Sequence, residues 1–258
     1  MTEQATAGGT GLVLLHGGGP GVDAASNWAT VWPRLTSRFT CLAPDLLGFG
    51  TRITDVVGAE RPRGPRAWAR ARARQVLESL DRSGMTRVHL VGNSVAGGAA
   101  ALALMAEAPE RVGRAVLMGG AGTGPLPAAV PFYDRPTRES MRVTLARLVA
   151  DESAHRELLD ELADLRVRQA LRPGAEADFR AMFADVAGQP PPVDLGSITC
   201  PVLALHGEHD HVAPVEVSAR LVEALPYGRF EVVAGAGHWI HVDRPKEFCD
   251  LVEDFVNT

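Results

Sequence analysis

Six short apolar runs, separated by stretches of helical periodicity, constrain the fold of this chain more than any other feature. The runs lie at 12–15, 39–43, 88–91, 115–118, 202–205 and 230–233. Helix-like stretches lie near 27–37, 67–82, 95–107, 214–225 and 245–256. This alternation is typical of parallel strands joined by crossover helices. The sequence therefore predicts an α/β fold with a mostly parallel sheet flanked by helices.

The segment between the fourth and fifth runs breaks this alternation. It opens with three prolines within residues 125–131, continues through helical sequence, and closes at the Gln-Pro-Pro-Pro stretch of residues 189–192. Such boundaries indicate an all-helical insertion between two strands. The sequence predicts a core formed by residues 1–122 and 196–258, and a helical lid formed by residues 123–195. Ligands of open α/β sheets bind at the carboxyl ends of the strands, so a lid over that edge would shape a pocket.

The composition narrows the classes of partner. The net charge of the 258 residues is −5, which gives no electrostatic case for binding nucleic acid or an anionic membrane. No apolar run approaches the roughly 18 residues of a membrane-spanning helix, and the first residues lack the features of a signal peptide. Cys41, Cys200 and Cys249 lie far apart without metal-ligand spacing, which indicates reduced thiols. We expect a cytoplasmic protein that acts on a small molecule.

Residues 88–100 read VHLVGNSVAGGAA and contain a serine directly after an apolar run. They nearly match the nucleophile motif G-x-S-x-G around Ser94, but Ala96 stands where the second glycine is expected. A serine becomes a nucleophile only with a base in reach and a group that orients the base. Asp210 follows the fifth run and His238 follows the sixth, the chain order of such triads. We therefore interpret Ser94 as the nucleophile, His238 as the base and Asp210 as the orienting acid.

Each of these residues also has a structural interpretation when it is taken alone. Ser94 could cap a helix, Asp210 could belong to a turn, and His238 could be an ordinary loop histidine. Glu208 is the reserve candidate for the acid, and Asp210 is preferred because it lies where the loop should turn back. Histidines flank both carboxylates, but no second cluster has ligand spacing, so no metal is expected.

Two backbone N–H groups are candidates for stabilising a developing oxyanion. Val95 follows the nucleophile at the start of a helix, where N–H groups point towards the site. Gly18 lies in HGGGPG, residues 16–21, after the first run, and glycines let the backbone approach a substrate closely. A phosphate-binding loop is the competing interpretation. It fails because neither G-K-[ST] nor a complete dinucleotide fingerprint is present.

Through these motifs the chain resembles the α/β-hydrolase superfamily. HGGGPG, DLLGFG at residues 45–50, GNS, GEHDHVAP and GHW carry the resemblance over roughly residues 11–256. Within the superfamily the chain is similar to the meta-cleavage product hydrolases, which split carbon–carbon bonds in vinylogous 1,5-diketones. The resemblance implies the α/β-hydrolase fold, a helical lid after the sixth strand of that fold, and no metal or organic cofactor. Few residues precede the first run, so the usual N-terminal hairpin is expected to be shortened or absent.

The resemblance also assigns residues to the substrate. Asn27 and Asn93 would lie near its dienol or carboxylate end, and Trp239 would line the pocket beside the histidine. Arg166 would correspond to the family's carboxylate-binding arginine, with Arg168 as the fallback.

Two of these assignments have structural alternatives. Asn27 could cap helix 27–37. Arg166 could pair with Glu161 or Asp164 on a solvated helix face.

Three departures from the family pattern leave the substrate open. They are the short N-terminus, Ala96, and a lid with few aromatic residues besides Phe132, Tyr133, Phe179 and Phe183. An ester, lactone or thioester hydrolase acting on a natural-product-like substrate is one alternative, and a non-catalytic ligand-binding protein is another. A homodimer is possible by analogy. We expect Ala96 to be accommodated by a shifted or bulged first turn of helix 95–107.

Overall fold

The structure, a computed structural model, describes residues 11–53, 61–123 and 131–258. Its strands are β1 (Gly11–Leu15), β2 (Thr40–Leu42), β3 (Val88–Asn93), β4 (Val112–Met118), β5 (Val202–Gly207) and β6 (Gly228–Val233). They form one sheet in the order β2-β1-β3-β4-β5-β6, and every pairing in it is parallel. Each predicted apolar run is a strand, and the predicted mostly parallel sheet is confirmed.

Ten α-helices lie in the described residues. They are α1 (Ala24–Trp28), α2 (Trp32–Thr36), α3 (Pro65–Ser83), α4 (Ala99–Glu107), α5 (Arg138–Ala146), α6 (Arg156–Ala170), α7 (Ala175–Met182), α8 (Val215–Glu223), α9 (Ile240–Asp243) and α10 (Pro245–Asn257). None of the helices in these ranges is long and apolar enough to span a bilayer.

The predicted single helix over residues 27–37 is wrong, because the chain forms α1 and α2 there instead. Pro33 lies in the first turn of α2. Its ring removes the N–H that a continuous helix would need, so a new helix begins at this point. Asn27 lies inside α1 and does not cap it. The cap is Asp23, whose side chain accepts a hydrogen bond from the N–H of Ser26.

Apolar side chains of the strands pack on both faces of the sheet. Val13 and Leu15 belong to a buried cluster with side chains of α3, α4 and α8. Leu12 and Leu14 belong to a second buried cluster with side chains of α1, α2 and α10. Alternation along β1 thus places consecutive residues on opposite faces, as the strand period of two requires.

The inserted segment, residues 131–195, contains α5, α6 and α7 between β4 and β5. Helix α5 begins with a capping box, in which the Thr137 hydroxyl accepts from the Ser140 N–H and the Ser140 hydroxyl accepts from the Thr137 N–H. Buried side chains of this segment pack with Trp239, which follows β6. The predicted extent of the lid stays a prediction, as does the short or absent N-terminal hairpin, which concerns residues 1–10 outside the described ranges.

Candidate active site

Ser94 directly follows β3 in a strained backbone conformation. Its φ is +55°, and among the described residues Ala121 is the other non-glycine residue with positive φ. A side chain in the left-handed region is disfavoured by contacts with its own backbone, so the surrounding structure must hold it there. The sharp turn places the Ser94 hydroxyl at the carboxyl edge of the sheet, where it lines a cavity.

The helix after Ser94 begins with a π-helical turn, Ser94–Gly98, and continues as α4. The predicted bulged first turn is therefore confirmed. A Cβ at Gly97 would lie 2.1 Å from the carbonyl oxygen of Leu15, whereas the methyl group of Ala96 is accommodated and buried. In this wide turn the closest contact with the end of β1 is at residue 97. The glycine that the tight contact requires is Gly97.

Asp210, His238 and Ser94 form a continuous hydrogen-bond chain. The Ser94 hydroxyl lies 2.8 Å from Nε2 of His238, and Nδ1 of His238 lies 2.7 Å from Oδ2 of Asp210. Burial raises the pKa of Asp210, but the hydrogen bonds from His238 and from the N–H groups of Ala213 and Val212 outweigh it and hold the pKa below the usual range. An ionised Asp210 keeps the proton on Nδ1, which leaves Nε2 free to accept the serine proton.

Two structural features around this hydrogen-bond chain were not predicted from the sequence. His206, fully buried, donates from Nε2 to the carbonyl of Ala213 and accepts at Nδ1 from the hydroxyl of Ser218, which fixes the loop that carries Asp210. A Cβ at Gly119 would lie 2.4 Å from the His238 ring. The glycine pair after the fourth apolar run was a signal for this close approach.

Glu208, the reserve candidate for the acid, does not contact His238. Glu208 accepts from the N–H of Gly235, and its half-exposed side chain contacts His209 rather than His238. Across residues 11–53, 61–123 and 131–258, no three His, Cys, Asp or Glu side chains are grouped to hold a metal ion.

The two predicted oxyanion donors lie on segments that touch each other. A Cβ at Gly18 would come within 2.8 Å of the Val95 side chain, and both residues line the cavity. Val95 is in the first turn of its helix, where N–H groups have no intrahelical acceptor. His16 fixes the neighbouring loop by donating from Nδ1 to the carbonyl of Gly17 and accepting at Nε2 from the N–H of Leu46.

The cavity has a volume of about 480 Å³ and lies between the carboxyl edge of the sheet and the inserted segment. Ser94 and His238 line it on the sheet side. Tyr133, Phe179 and Phe183 line it on the side of the inserted segment. The volume is typical of sites for small organic molecules.

The sequence model of the Alpha/beta hydrolase family matches residues 12–251 of this chain. The chain belongs to the α/β-hydrolase family. It is similar to the 2-hydroxy-6-oxo-2,4-heptadienoate hydrolase of Pseudomonas putida (strain F1), with 35% identity over 96% of this chain and 89% of the relative. The 2-hydroxymuconate semialdehyde hydrolase of Pseudomonas sp. (strain CF600) is 34% identical over 95% of this chain and 86% of its own.

A solved structure that is similar to this chain also belongs to a dienoate hydrolase. The 2-hydroxy-6-oxo-6-phenylhexa-2,4-dienoate hydrolase from Rhodococcus sp. strain RHA1 has a TM-score of 0.85 and 31% identity, over 97% of this chain and 91% of that chain. These relatives are named as hydrolases of 2-hydroxy-6-oxo-dienoates or of 2-hydroxymuconate semialdehyde. This α/β-hydrolase is therefore an enzyme, and its relatives include meta-cleavage product hydrolases.

Arg166 is a buried cation of this α/β-hydrolase, with 1% of its surface exposed. Its guanidinium lies 5.0 Å from the ring centre of Trp239, and its Nε and Nη2 have no hydrogen-bond partner within residues 11–53, 61–123 and 131–258. Burial lowers its pKa to about 10, with attraction to Asp23 partly offsetting this, so the side chain is charged at neutral pH. The alternative of an ion pair on a solvated helix face is wrong, since Asp164 pairs with Arg138 and Arg166 is buried.

The fallback Arg168 is exposed and does not line the cavity, whereas Arg166 and Trp239 do. Asn27 also lines the cavity, and Asn93 does not. Asn93, fully buried, donates from Nδ2 to Oδ1 of Asn27 at 3.2 Å, and Nδ2 of Asn27 has no partner in the part of the chain that the structure describes. Arg166 and Asn27 therefore both line the cavity and carry unused donors, and Asn93 orients Asn27.

Proposed function

We propose that this α/β-hydrolase uses Ser94, His238 and Asp210 to cleave a carbon–carbon bond in a 2-hydroxy-6-oxo-dienoate, a meta-cleavage-product-like substrate. The names of two relatives share this unit and differ in the group beyond carbon 6. The shared part of such a substrate carries a carboxylate and an enol at one end and a ketone at the other. The site needs a donor set for the first end and a nucleophile for the second.

Two unpartnered guanidinium nitrogens of Arg166 are the observation that carries this proposal. Among the described residues, its buried Nε and Nη2 lack partners, as does Nδ2 of Asn27, and both side chains line the cavity. A buried charge without partners is costly, and a planar guanidinium matches a carboxylate in two parallel hydrogen bonds. A carboxylate bound here satisfies those donors. A neutral ester offers no such group.

Binding at this end prepares the substrate for cleavage. Arg166 and Asn27 hold the carboxylate and the neighbouring enol, and the enol proton is transferred to carbon 5 to give the keto tautomer. Carbon 5 is then saturated, and the carbonyl at carbon 2, conjugated with the double bond between carbons 3 and 4, can accept electrons. Nothing in this step needs a metal or an organic cofactor.

Ser94 then attacks the ketone carbon at position 6. Its proton passes to Nε2 of His238, Asp210 stabilises the resulting imidazolium, and the N–H groups of Gly18 and Val95 stabilise the oxyanion. The bond between carbons 5 and 6 breaks, and its electron pair moves to the oxygen on carbon 2, which takes up a proton to give a 2-hydroxydienoate. Water hydrolyses the acyl-serine and releases a carboxylic acid.

Relative rates test the proposal. We expect kcat/KM for 2-hydroxy-6-oxohepta-2,4-dienoate, followed by loss of its absorbance, to exceed that for p-nitrophenyl acetate. Faster cleavage of the ester would favour the ester-hydrolase alternative. If neither is cleaved and a fluorophosphonate fails to label Ser94 in the folded protein, the proposal is wrong and a ligand-binding role is favoured.

A further inference from the structure

Asp243 is a buried acidic side chain that the proposed mechanism does not use. It is the last residue of α9, and 3% of its side chain is exposed. Its Oδ2 accepts from the N–H of Gly237 at 2.7 Å and from the N–H of Ala150 at 3.0 Å, and its Oδ1 accepts from Nε2 of His155 at 2.8 Å. Three donors from two distant parts of the chain therefore converge on one carboxyl group.

The three donors join the loop that carries His238 to the inserted segment. Gly237 directly precedes His238, whereas Ala150 and His155 lie between α5 and α6. A carboxyl group that is buried without donors costs free energy, so the hydrogen bonds of Asp243 are satisfied only when both parts of the chain are in place. Asp243 therefore holds the inserted segment beside the proposed base.

The residue on the other side of His238 is bound to the same segment. The N–H of Trp239 donates to the carbonyl of Leu148 at 2.7 Å. A Cβ at Gly237 would lie 2.6 Å from a backbone carbon of the inserted segment, so the two main chains are in close contact. The backbone on both sides of His238 is thus held by hydrogen bonds, and one of the two acceptors is Asp243.

We infer that Asp243 is a positioning residue, which holds His238 in place for proton transfer by fixing the main chain at Gly237. This rests on the proposed function, in which Nε2 of His238 takes the proton of Ser94 across 2.8 Å. Asp210 orients the imidazole ring, and Asp243 places the backbone from which the ring extends. A misplacement of about 1 Å in a reacting group can cost about 100-fold in rate. Asp243 does not line the cavity, so it takes part in the reaction only through His238.

The rate at which a fluorophosphonate labels Ser94 tests this inference, because labelling needs the base but no dienoate. Asp243→Ala removes all three acceptor contacts and should slow labelling by about 10- to 100-fold. On the dienoate, kcat should fall by the same factor while KM stays within about twofold, since Asp243 lies outside the cavity. A residue with a structural role alone would lower the stability and leave the labelling rate of the folded protein unchanged.

Asp243→Asn should restore the labelling rate to within about threefold of wild type. The amide oxygen can accept from both N–H groups, and the amide nitrogen can donate to Nε2 of His155 once the imidazole proton moves to Nδ1. Labelling of Asp243→Asn as slow as that of Asp243→Ala would show that these hydrogen bonds do not position His238, and would overturn the inference. If Asp243→Ala does not fold, Asp243→Glu replaces it, since the longer side chain displaces the acceptors and should slow labelling by about tenfold.

Thr137→Ala is the matched control. Thr137 caps α5 in the inserted segment, and its hydrogen bonds stay within residues 135–141. Loss of this cap should destabilise the segment and leave labelling within about twofold of the wild-type rate. Equal slowing by Thr137→Ala and Asp243→Ala would overturn the inference, and so would an unchanged rate in Asp243→Ala.

Labelling also separates this inference from the proposed function. If the wild-type protein is labelled at Ser94 but does not cleave the dienoate, the proposed function fails and the labelling rates still decide the role of Asp243. If wild-type Ser94 is not labelled, His238 activates no nucleophile and both proposals are overturned.

Discussion

The two ends of the polar site differ in how completely their atoms are partnered. At the proposed nucleophile, Ser94, His238 and Asp210 form one chain of hydrogen bonds that two backbone N–H groups complete. At the other end, Arg166 and Asn27 keep donors that have no partner among the described residues. Buried polar groups are normally satisfied, and each unsatisfied one costs free energy. The end with Ser94 is thus preorganised, and we propose that the substrate carboxylate completes the other end.

The largest expected effect comes from breaking the partnered end. Ser94→Ala should lower kcat on the dienoate by at least about 10⁴-fold, because no other group in the chain of hydrogen bonds can form the acyl intermediate. Loss of dienoate absorbance measures this, with circular dichroism as the control for folding. If the variant keeps activity within about a hundredfold of wild type, a loss of about 2.8 kcal/mol or less in activation free energy, the nucleophile is a residue other than Ser94.

Changes at the unpartnered end should reduce binding of the substrate's carboxylate. Arg166→Met should lower kcat/KM for the dienoate by about 100-fold, the size expected when charge-assisted hydrogen bonds are lost. Arg168→Met is the matched control, since Arg168 is exposed on the same helix and should change kcat/KM by less than about twofold. Equal effects of the two substitutions would remove Arg166 from the site.

The same substitution should stabilise the free protein. Burial lowers the pKa of Arg166 to about 10, so the folded state disfavours its charged form. The unfolded state binds the proton more tightly than the folded state, so burying the charged side chain lowers stability at pH values below about 10. At such pH values Arg166→Met should raise the free energy of unfolding by about 1–3 kcal/mol. The gain should shrink as the pH rises through about 10, since the folded protein then releases the proton. Urea denaturation at pH 7 and pH 10.5 measures both, and a destabilised variant at pH 7 would contradict the account.

The turn that holds Ser94 gives a smaller, structural effect. Gly97→Ala should destabilise the protein by about 1–3 kcal/mol, because its Cβ would meet the backbone of Leu15. Ala96→Gly is the matched control and should cost less than about 1 kcal/mol, the helix-propensity difference, although it restores the usual motif. Thermal unfolding measures both. If the two substitutions cost the same, the closest contact is not at residue 97.

Much of this contrast could be predicted from the sequence. The strand positions followed from the apolar runs, and the order of Ser94, Asp210 and His238 followed from their places after successive strands. The choice of Arg166 over Arg168 also had a signal: Leu159, Leu162, Ala163, Arg166 and Ala170 are all buried and repeat at helical spacing, and Arg168 falls outside that face.

The rest depends on side chains that meet only in the folded chain. The contact between Asn93 and Asn27 joins residues 66 positions apart, and it turns one predicted substrate contact into a support for the other. Helix periodicity carries no information on this contact. The break between α1 and α2, by contrast, could have been predicted from Pro33.

The most direct test of the division between the two ends is the affinity of 2-hydroxy-6-oxohepta-2,4-dienoate for Ser94→Ala and for Ser94→Ala/Arg166→Met. Both proteins lack the nucleophile, so a spectral titration measures binding alone. We predict that the first variant binds the dienoate and that the second binds it at least about 30-fold more weakly. Equal dissociation constants would show that the buried guanidinium does not bind the substrate carboxylate and would contradict the account.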